Sequence, residues 1–333
     1  MRIIKQIAAF IGDVKIYIGV SPRRAHGPAI IFFPFCPERL NCGFAGLMTI
    51  VNRGSNAGEL AEDTELERHA KEVEANALQE VLSKKTAAEK YLGGAKIMDF
   101  LEKAVTALKE EEAQKIIFFD AGRRKRLYGV AGGMKSFLAQ EEKLLETQAA
   151  QFASADLEAI NGRLVALKDI QWSLEKDIID NIDKITSLAG AGENNLSPAA
   201  FTKYRKINLL LNALDRLEVR GMDSAGLQIA FLFTDDHLDK ILAALKRNSL
   251  HDDYLRRAGK GELLHGSVCV RRGIAHEGQK ACQATFTYKT FSVVGELGRN
   301  VRDLRKAIQD DLILREFAGA DDCDFHRCAF PLQ

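Results

Sequence analysis

Between residues 156 and 188 an apolar residue returns every three or four positions: Leu157, Ile160, Leu164, Leu167, Ile170, Leu174, Ile178, Ile182 and Ile185. At 3.6 residues per turn this spacing puts them all on one face of an α-helix, with Glu, Lys and Asp filling the other. A helix this long cannot leave such a seam in water, so the pattern predicts an α-hairpin or coiled coil. Trp172, the only tryptophan, falls off the seam and is expected to mark a packing site for a partner or a neighbouring helix. "AGAGENNLSP" at 189–198 ends the pattern, and Pro198 suits the first turn of a new helix running to Glu218.

The flanks read differently. From about Leu60 to Leu92 the chain is charged and Ala-rich with helical periodicity, and "AKIMDFLEKAVTALKEEE" continues it. "KIIFFDAGRRKRLYGV" (115–130) reads as a hairpin, with β-prone runs on either side of a solvated basic tip at Arg123-Arg124-Lys125-Arg126. Residues 1–41 read as short apolar strands, and "CGFAGLMTIV" (42–51) as a further β-prone run. Beyond residue 226, "LQIAFLF", "SVCVRRG" and "ATFTYKTFSVV" are strand candidates, and "HLDKILAALKR" and "NVRDLRKAIQDDLILREFA" are helix candidates. Mixed structure at both ends of an all-helical middle predicts an α+β domain interrupted by a helical insertion.

Composition narrows the function classes. Across 333 residues, 46% are apolar and 28% charged, with a formal net charge of +1. That balance points to neither nucleic acid nor a membrane surface as a partner. The opening "MRIIKQIAAFIGDVKIYIGV" is too interrupted to span a bilayer and lacks a signal-peptide cleavage pattern, so the expected location is the cytoplasm. Six scattered cysteines without CxxC spacing support neither a disulfide framework nor a metal site, and no cofactor motif is present. His265 and His276, near Cys269, read as solvated loop histidines.

One stretch joins a helix to a buried strand through unusual chemistry. In "LLLNALDRLEVRGMDSAGLQIAF", Arg220, Gly221, Asp223, Ser224 and Gly226 crowd the seam. Leu217, Glu218, Arg220, Gly221, Asp223, Ser224, Ala225 and Gly226 match leucine-glutamate-tyrosine-arginine-glycine-tyrosine-aspartate-serine-alanine-glycine, with Val219 and Met222 in place of the tyrosines. This resembles the class II glutamine amidotransferase domain of the glucosamine-6-phosphate synthase (glutamine–fructose-6-phosphate aminotransferase) family. Cys42-Gly43-Phe44-Ala45-Gly46 resembles the cysteine-glycine start of the same domain, and the two motifs occur in the family's order.

The resemblance implies a chemistry. In the family the cysteine is the mature N-terminus and attacks the side-chain amide of L-glutamine, with its own α-amine as general base. It implies that Cys42 is the nucleophile, that Gly43 lets backbone approach the substrate, and that Arg220 lies near the nucleophile. Asp223 and Ser224 would brace the turn, and Gly221 and Gly226 would permit close helix–strand packing. The implied fold is a partial αββα sandwich of the N-terminal-nucleophile type. The implied partners are sugar-isomerase domains or a separate synthase chain that uses the ammonia.

The match covers roughly 42–53 and 205–320. The expected organisation is therefore an N-terminal extension or propeptide (1–41), a first amidotransferase segment (42–53), a coiled-coil-like helical insertion (54–204) and a second amidotransferase segment (205–333). The family's histidine-threonine-arginine-tryptophan-alanine motif, which grips the glutamine carboxylate, is matched neither by His326-Arg327-Cys328-Ala329 nor by "GIAH" at 273–276. The chain by itself is accordingly expected to release little or no glutamate, which a glutaminase assay checks. The alternative expectation is an inactive derivative whose helices serve as an interaction or self-association module.

Overall fold

The computed structural model describes residues 29–34, 43–48, 63–84, 88–190, 196–218, 224–276, 279–291 and 296–320. These residues are mostly helical with a small antiparallel sheet, an α+β composition. They fall into two compact units. Residues 63–187 form one; the strands before residue 49 and the described residues from 188 onward form the other.

The helical unit comprises α1 (Asp63–Glu74), α2 (Leu78–Lys84), a 3-10 turn (Ala88–Gly93), α3 (Gly94–Ala107), α4 (Glu111–Phe119), α5 (Ala121–Gln148) and α6 (Ser154–Trp172). A π-helical turn, Ser173–Ile179, carries α6 without a break into α7 (Asp180–Ala189). α5 buries Leu127, Ala131, Met134, Leu138 and Leu145, and α6 and its continuation bury Ile160, Leu164, Leu167, Ile170, Leu174, Ile178, Ile182 and Ile185. Tyr128 to Asp183, Lys135 to Glu175 and Lys168 to Glu142 link the two in descending order, so they run antiparallel as an α-hairpin. Exposed pairs of this kind contribute little energy, but they mark the register. Trp172 is 54% exposed, as is Val165 one heptad before it.

The segment read as a hairpin at 115–130 is helical instead. Asp120 takes an extended conformation between α4 and α5, and its side chain accepts from Arg123 N at 2.9 Å, so it serves as the N-cap of α5. Ala113, Ile117 and Phe118 face the interior at helical spacing, and this burial overrides the β preference of the Ile-Ile-Phe-Phe run. The four basic residues therefore occupy the first turns of a helix, not a hairpin tip.

The π turn has its cause in the seam. Ile170, Leu174, Ile178 and Ile182 step by four residues three times in succession, which a regular α-helix would carry steadily off the face. One widened turn absorbs that drift. Its freed carbonyls find side chains: Asn181 Nδ2 donates to Asp177 O at 2.8 Å and Gln114 Nε2 to the same oxygen at 3.4 Å. The Asp177 carboxylate accepts from Lys109 Nζ at 2.8 Å and from Ser173 Oγ at 3.1 Å. Deleting the surface residue Lys176 should return the turn to α geometry while keeping the seam inward. The expected change is within about 1 kcal/mol, read by thermal melting with far-UV circular dichroism. Loss of a cooperative transition would contradict this account of the turn.

In the second unit α8 (Pro198–Glu218) opens with Ser197 as its cap, Ser197 Oγ accepting from Ala200 N at 3.1 Å, and with Pro198 as its first residue. β3 (Ser224–Phe233) follows, then α9 (Asp235–Arg247), α10 (His251–Ala258), β4 (Ser267–His276), β5 (Gln279–Phe291), α11 (Arg299–Gln309) and α12 (Leu312–Gly319). The three strands form an antiparallel sheet in the order β3-β5-β4. The register aligns Ile229, Phe286 and Val268 in one cross-strand row and Phe231 with Ala284 in the next, all buried. Leu238, Ile241 and Leu245 of α9 join that core, as do Leu304 of α11 and Phe317 of α12. Phe317 meets Phe286 edge-on at 5.1 Å and Phe233 at 5.7 Å. Separately, β1 (Ala29–Pro34) pairs antiparallel with β2 (Gly43–Met48), and β2 runs alongside α8.

The helix expected across 300–318 is two helices. Asp311 leaves the helical path between α11 and α12 and accepts from Leu314 N at 2.9 Å, capping α12. Arg257 grips its carboxylate with both terminal nitrogens, at 2.7 and 2.5 Å, and Tyr288 OH donates to it at 2.6 Å. At the other end of α12, the buried Lys203 Nζ donates to the Ala318 and Ala320 carbonyls, both at 3.0 Å. A cation on the last carbonyls of a helix satisfies acceptors that have no partner within the helix.

Candidate functional site

Of the residues that the resemblance assigns to the site, Gly43, Ser224 and Gly226 lie on described elements. Gly43 opens β2 opposite Pro34, and Ser224 opens β3 opposite Phe291. Cys42, Arg220, Gly221 and Asp223 lie outside the described residues, so the arrangement of the nucleophile and the arginine is not described by this structure. The described elements that flank them, β2, α8 and β3, belong to one compact unit, although Arg220 is 178 positions beyond Cys42.

Around Ser224 the geometry is explicit. β3 enters the sheet with Ala225 opposite Thr290 and Gly226 opposite Lys289. Thr290 Oγ1 donates to Asn300 Oδ1 at 2.9 Å, and Asn300 is fully buried in the first turn of α11. Gly298 caps that helix in the left-handed conformation, φ 75°, a geometry suited to glycine. A side chain there would meet Asp215 of α8 and Arg302 of α11. Further along, Arg305 Nη1 donates to Asn208 Oδ1 of α8 at 3.0 Å, and burial lowers the Arg305 pKa from the usual guanidinium range. Phe291 (87% exposed) and Leu297 (59%) present apolar surface close in sequence to these contacts.

Gly226 differs from expectation. A Cβ there would make only ordinary contacts, 3.8 Å to Lys289 Cγ and to Tyr288 O, so no close helix–strand approach requires a glycine. Thr290 and Asn300 were not singled out from the sequence. No local pattern marks Asn300 as buried, since asparagine is mostly an exposed residue type, and its partner could be named only once the strand register was known.

The described cysteines do not offer competing nucleophiles. Burial raises the Cys282 thiol to about 11, helped by the Asp235 carboxylate, to which its Sγ donates at 2.9 Å. Burial, then the Glu262 carboxylate, also raises the Cys269 thiol, which donates to Glu262 Oε1 at 3.3 Å. A thiol shifted upward carries little thiolate at neutral pH. His265 accepts through Nδ1 from Lys289 N at 3.1 Å and meets Tyr288 edge-on, so it engages β5 and not Cys269. "GIAH" at 273–276 belongs to β4, beside a bulge at Arg271/Ile274. No group of three potential metal ligands exists among the described residues, and no described helix is long and apolar enough to cross a membrane.

Two cavities open in the helical unit. One, of about 610 Å³, is lined by Glu74, Ser136, Phe137 and Glu141; the other, of about 270 Å³, by Glu102, Lys109, Asp169 and Ser173 beside the π turn. Glu141 accepts from Leu78 N at 2.9 Å and so caps α2, and its carboxylate acts on the buried Tyr91 hydroxyl. Burial and then the Glu141 charge push the Tyr91 phenol well above its ordinary range. No protein-family model, curated protein or solved structure matches this chain.

Proposed function

We propose that this chain is the glutaminase part of an aminotransferase of the glucosamine-6-phosphate synthase type, with a partial N-terminal-nucleophile fold. The observation that carries the reading is the juxtaposition of its two motifs' elements. β2, which begins one residue after Cys42, runs alongside α8, the helix that leads into Arg220-Gly221-Met222-Asp223-Ser224. The helical unit between them folds as a compact body of its own, as an insertion would.

In the proposed reaction the Cys42 thiolate attacks the glutamine side-chain carbonyl once removal of residues 1–41 has freed its α-amine. The amine takes the thiol proton and delivers it to the leaving nitrogen, so ammonia departs and a γ-glutamyl thioester remains. Water then attacks the thioester, releasing glutamate and restoring the thiol. In this reading Arg220 would act near the nucleophile, and Asp223 and Ser224 would brace the connection that carries it. Ammonia would pass to sugar-isomerase domains or to a separate synthase chain acting on fructose 6-phosphate.

Protection tests this proposal. L-Glutamine at millimolar concentration should slow modification of Cys42 by a glutamine-like diazo-ketone, and D-glutamine should not. Equal rates with and without L-glutamine would remove the substrate assignment. A second reading, self-association through the helical unit, draws on the exposed Trp172 and Val165, one heptad apart on α6. Sedimentation of a Trp172→Ala variant against the parent chain checks it.

A further inference from the structure

We infer that α6 pairs with α6 of a second copy of this chain, antiparallel, about a two-fold axis level with Leu167. The inference rests on the self-association reading above and fixes its partner and register. Glu158, Gly162, Val165, Asp169, Trp172 and Lys176 follow one another at steps of 4, 3, 4, 3 and 4, the spacing of a coiled-coil seam. All six lie on the solvent side of α6 and its π-helical continuation. Val165 and Trp172 are each 54% exposed, and Glu158, Gly162, Asp169 and Lys176 are exposed as well. This second seam is distinct from the buried one that carries Ile160, Leu164 and Leu167.

The step pattern reads the same from either end, so the seam meets itself when the second helix runs the opposite way. Glu158 then faces Lys176, Gly162 faces Trp172 and Val165 faces Asp169. Opposite charges meet at both ends, and the largest side chain of the seam meets the residue that has none. A Cβ at Gly162 would find nothing within 4 Å, so the notch is open, and no contact among the described residues asks for glycine in mid-helix, where it is unfavourable relative to alanine. A parallel pair would instead set Glu158 on Glu158, Gly162 on Gly162 and Trp172 on Trp172, giving repulsion, a gap and crowding. The antiparallel contact makes each pairing twice and closes on a dimer. Trp172 supplies the anchor. Lys176 also meets Glu175 at 3.3 Å and Asp180 at 3.0 Å on its own helix, so its pairing with Glu158 sets register more than affinity.

The test is sedimentation equilibrium of the full chain at micromolar concentrations, where the parent should show a monomer–dimer equilibrium. Trp172→Ala should weaken the dimer about thirtyfold, the range for losing a tryptophan anchor. Gly162→Leu adds an apolar residue and favours the helix, yet should weaken the dimer as much, because it fills the notch. Glu158→Lys and Lys176→Glu should each weaken it about tenfold, since every dimer carries the pair twice. Combining the two in one chain should restore the parent constant. These are surface positions, so melting followed by far-UV circular dichroism should match the parent; should one variant melt early, the charge exchange decides the pairing on its own. A dimer that Gly162→Leu leaves intact or tightens, or single charge variants that the double exchange does not rescue, would overturn the antiparallel pairing while self-association stands. A parent chain that stays monomeric throughout overturns the self-association reading itself, and is distinguishable from either.

Discussion

Replacing Asp311 with alanine is expected to cost about 3–5 kcal/mol of folding stability, the range for removing one partner of a buried ion pair. Three groups converge on this carboxylate: both terminal nitrogens of Arg257, the Tyr288 hydroxyl and the Leu314 amide. Arg257 is anchored as well by its Nε donating to Gly266 O at 2.8 Å, so it cannot simply swing into water when the carboxylate goes. The substitution strands a largely buried guanidinium, leaves a fully buried phenol without its acceptor and uncaps α12. Replacing Arg257 with methionine in the same chain should recover much of the loss, because the stranded charge is then gone.

The same cluster sets a pH dependence. Burial acts to raise the Asp311 pKa, but the Arg257 guanidinium, the Tyr288 hydroxyl and the Leu314 amide outweigh it and hold the group below the usual carboxylate range. A folded pKa below the unfolded value of about 3.9 means that the stabilisation is present at neutral pH and is lost as pH falls through the folded value. Tyr288 has the opposite sign. Burial and the adjacent Asp311 charge raise it well above 10, so its contribution is complete below the unfolded pKa and declines as pH rises beyond it. Urea unfolding at a series of pH values should show stability falling at both extremes in the parent chain. An Asp311→Ala chain that matches the parent in midpoint and acid sensitivity would remove the cluster from the account.

Replacing Cys42 with alanine is expected to abolish reaction with a glutamine-like electrophile. The adduct should disappear altogether, because removal of a nucleophile removes the covalent step and not only its rate. The described thiols cannot substitute, since burial and neighbouring carboxylates raise both Cys269 and Cys282. Self-association through the helical unit should be untouched by this substitution, so sedimentation and labelling together separate the catalytic reading from the scaffold reading. Persistent labelling in Cys42→Ala, mapped by peptide mass, would place the nucleophile elsewhere.

Periodicity made the large elements legible, while local chemistry hid the joints. The seam from Leu157 to Ile185 announced its helix because burial repeats at the helical step, and its three successive steps of four also carried the sign of the π turn. "LQIAFLF", "SVCVRRG" and the start of "ATFTYKTFSVV" lie in strands because β-branched and aromatic residues fit a half-buried pleat. "KIIFFDAGRRKRLYGV" misled because the same residue types line a helix interior, and only Asp120 as a cap shows where one helix stops and the next begins. Asp310-Asp311 could have been read as a break before Leu312, since aspartate at an N-cap competes with helix continuation. Of the candidate site, Gly43 and Ser224 fall on strand ends, whereas the Thr290–Asn300 contact depends on a register that no local pattern encodes.

In the function proposed above, Cys42 acts as a processed N-terminal nucleophile. An intact mass of the purified chain, taken before and after exposure to a glutamine-like diazo-ketone, tests it most directly. The expected result is a chain beginning at Cys42 that gains a single adduct on that residue. A full-length mass beginning at Met1 that gains none would contradict it.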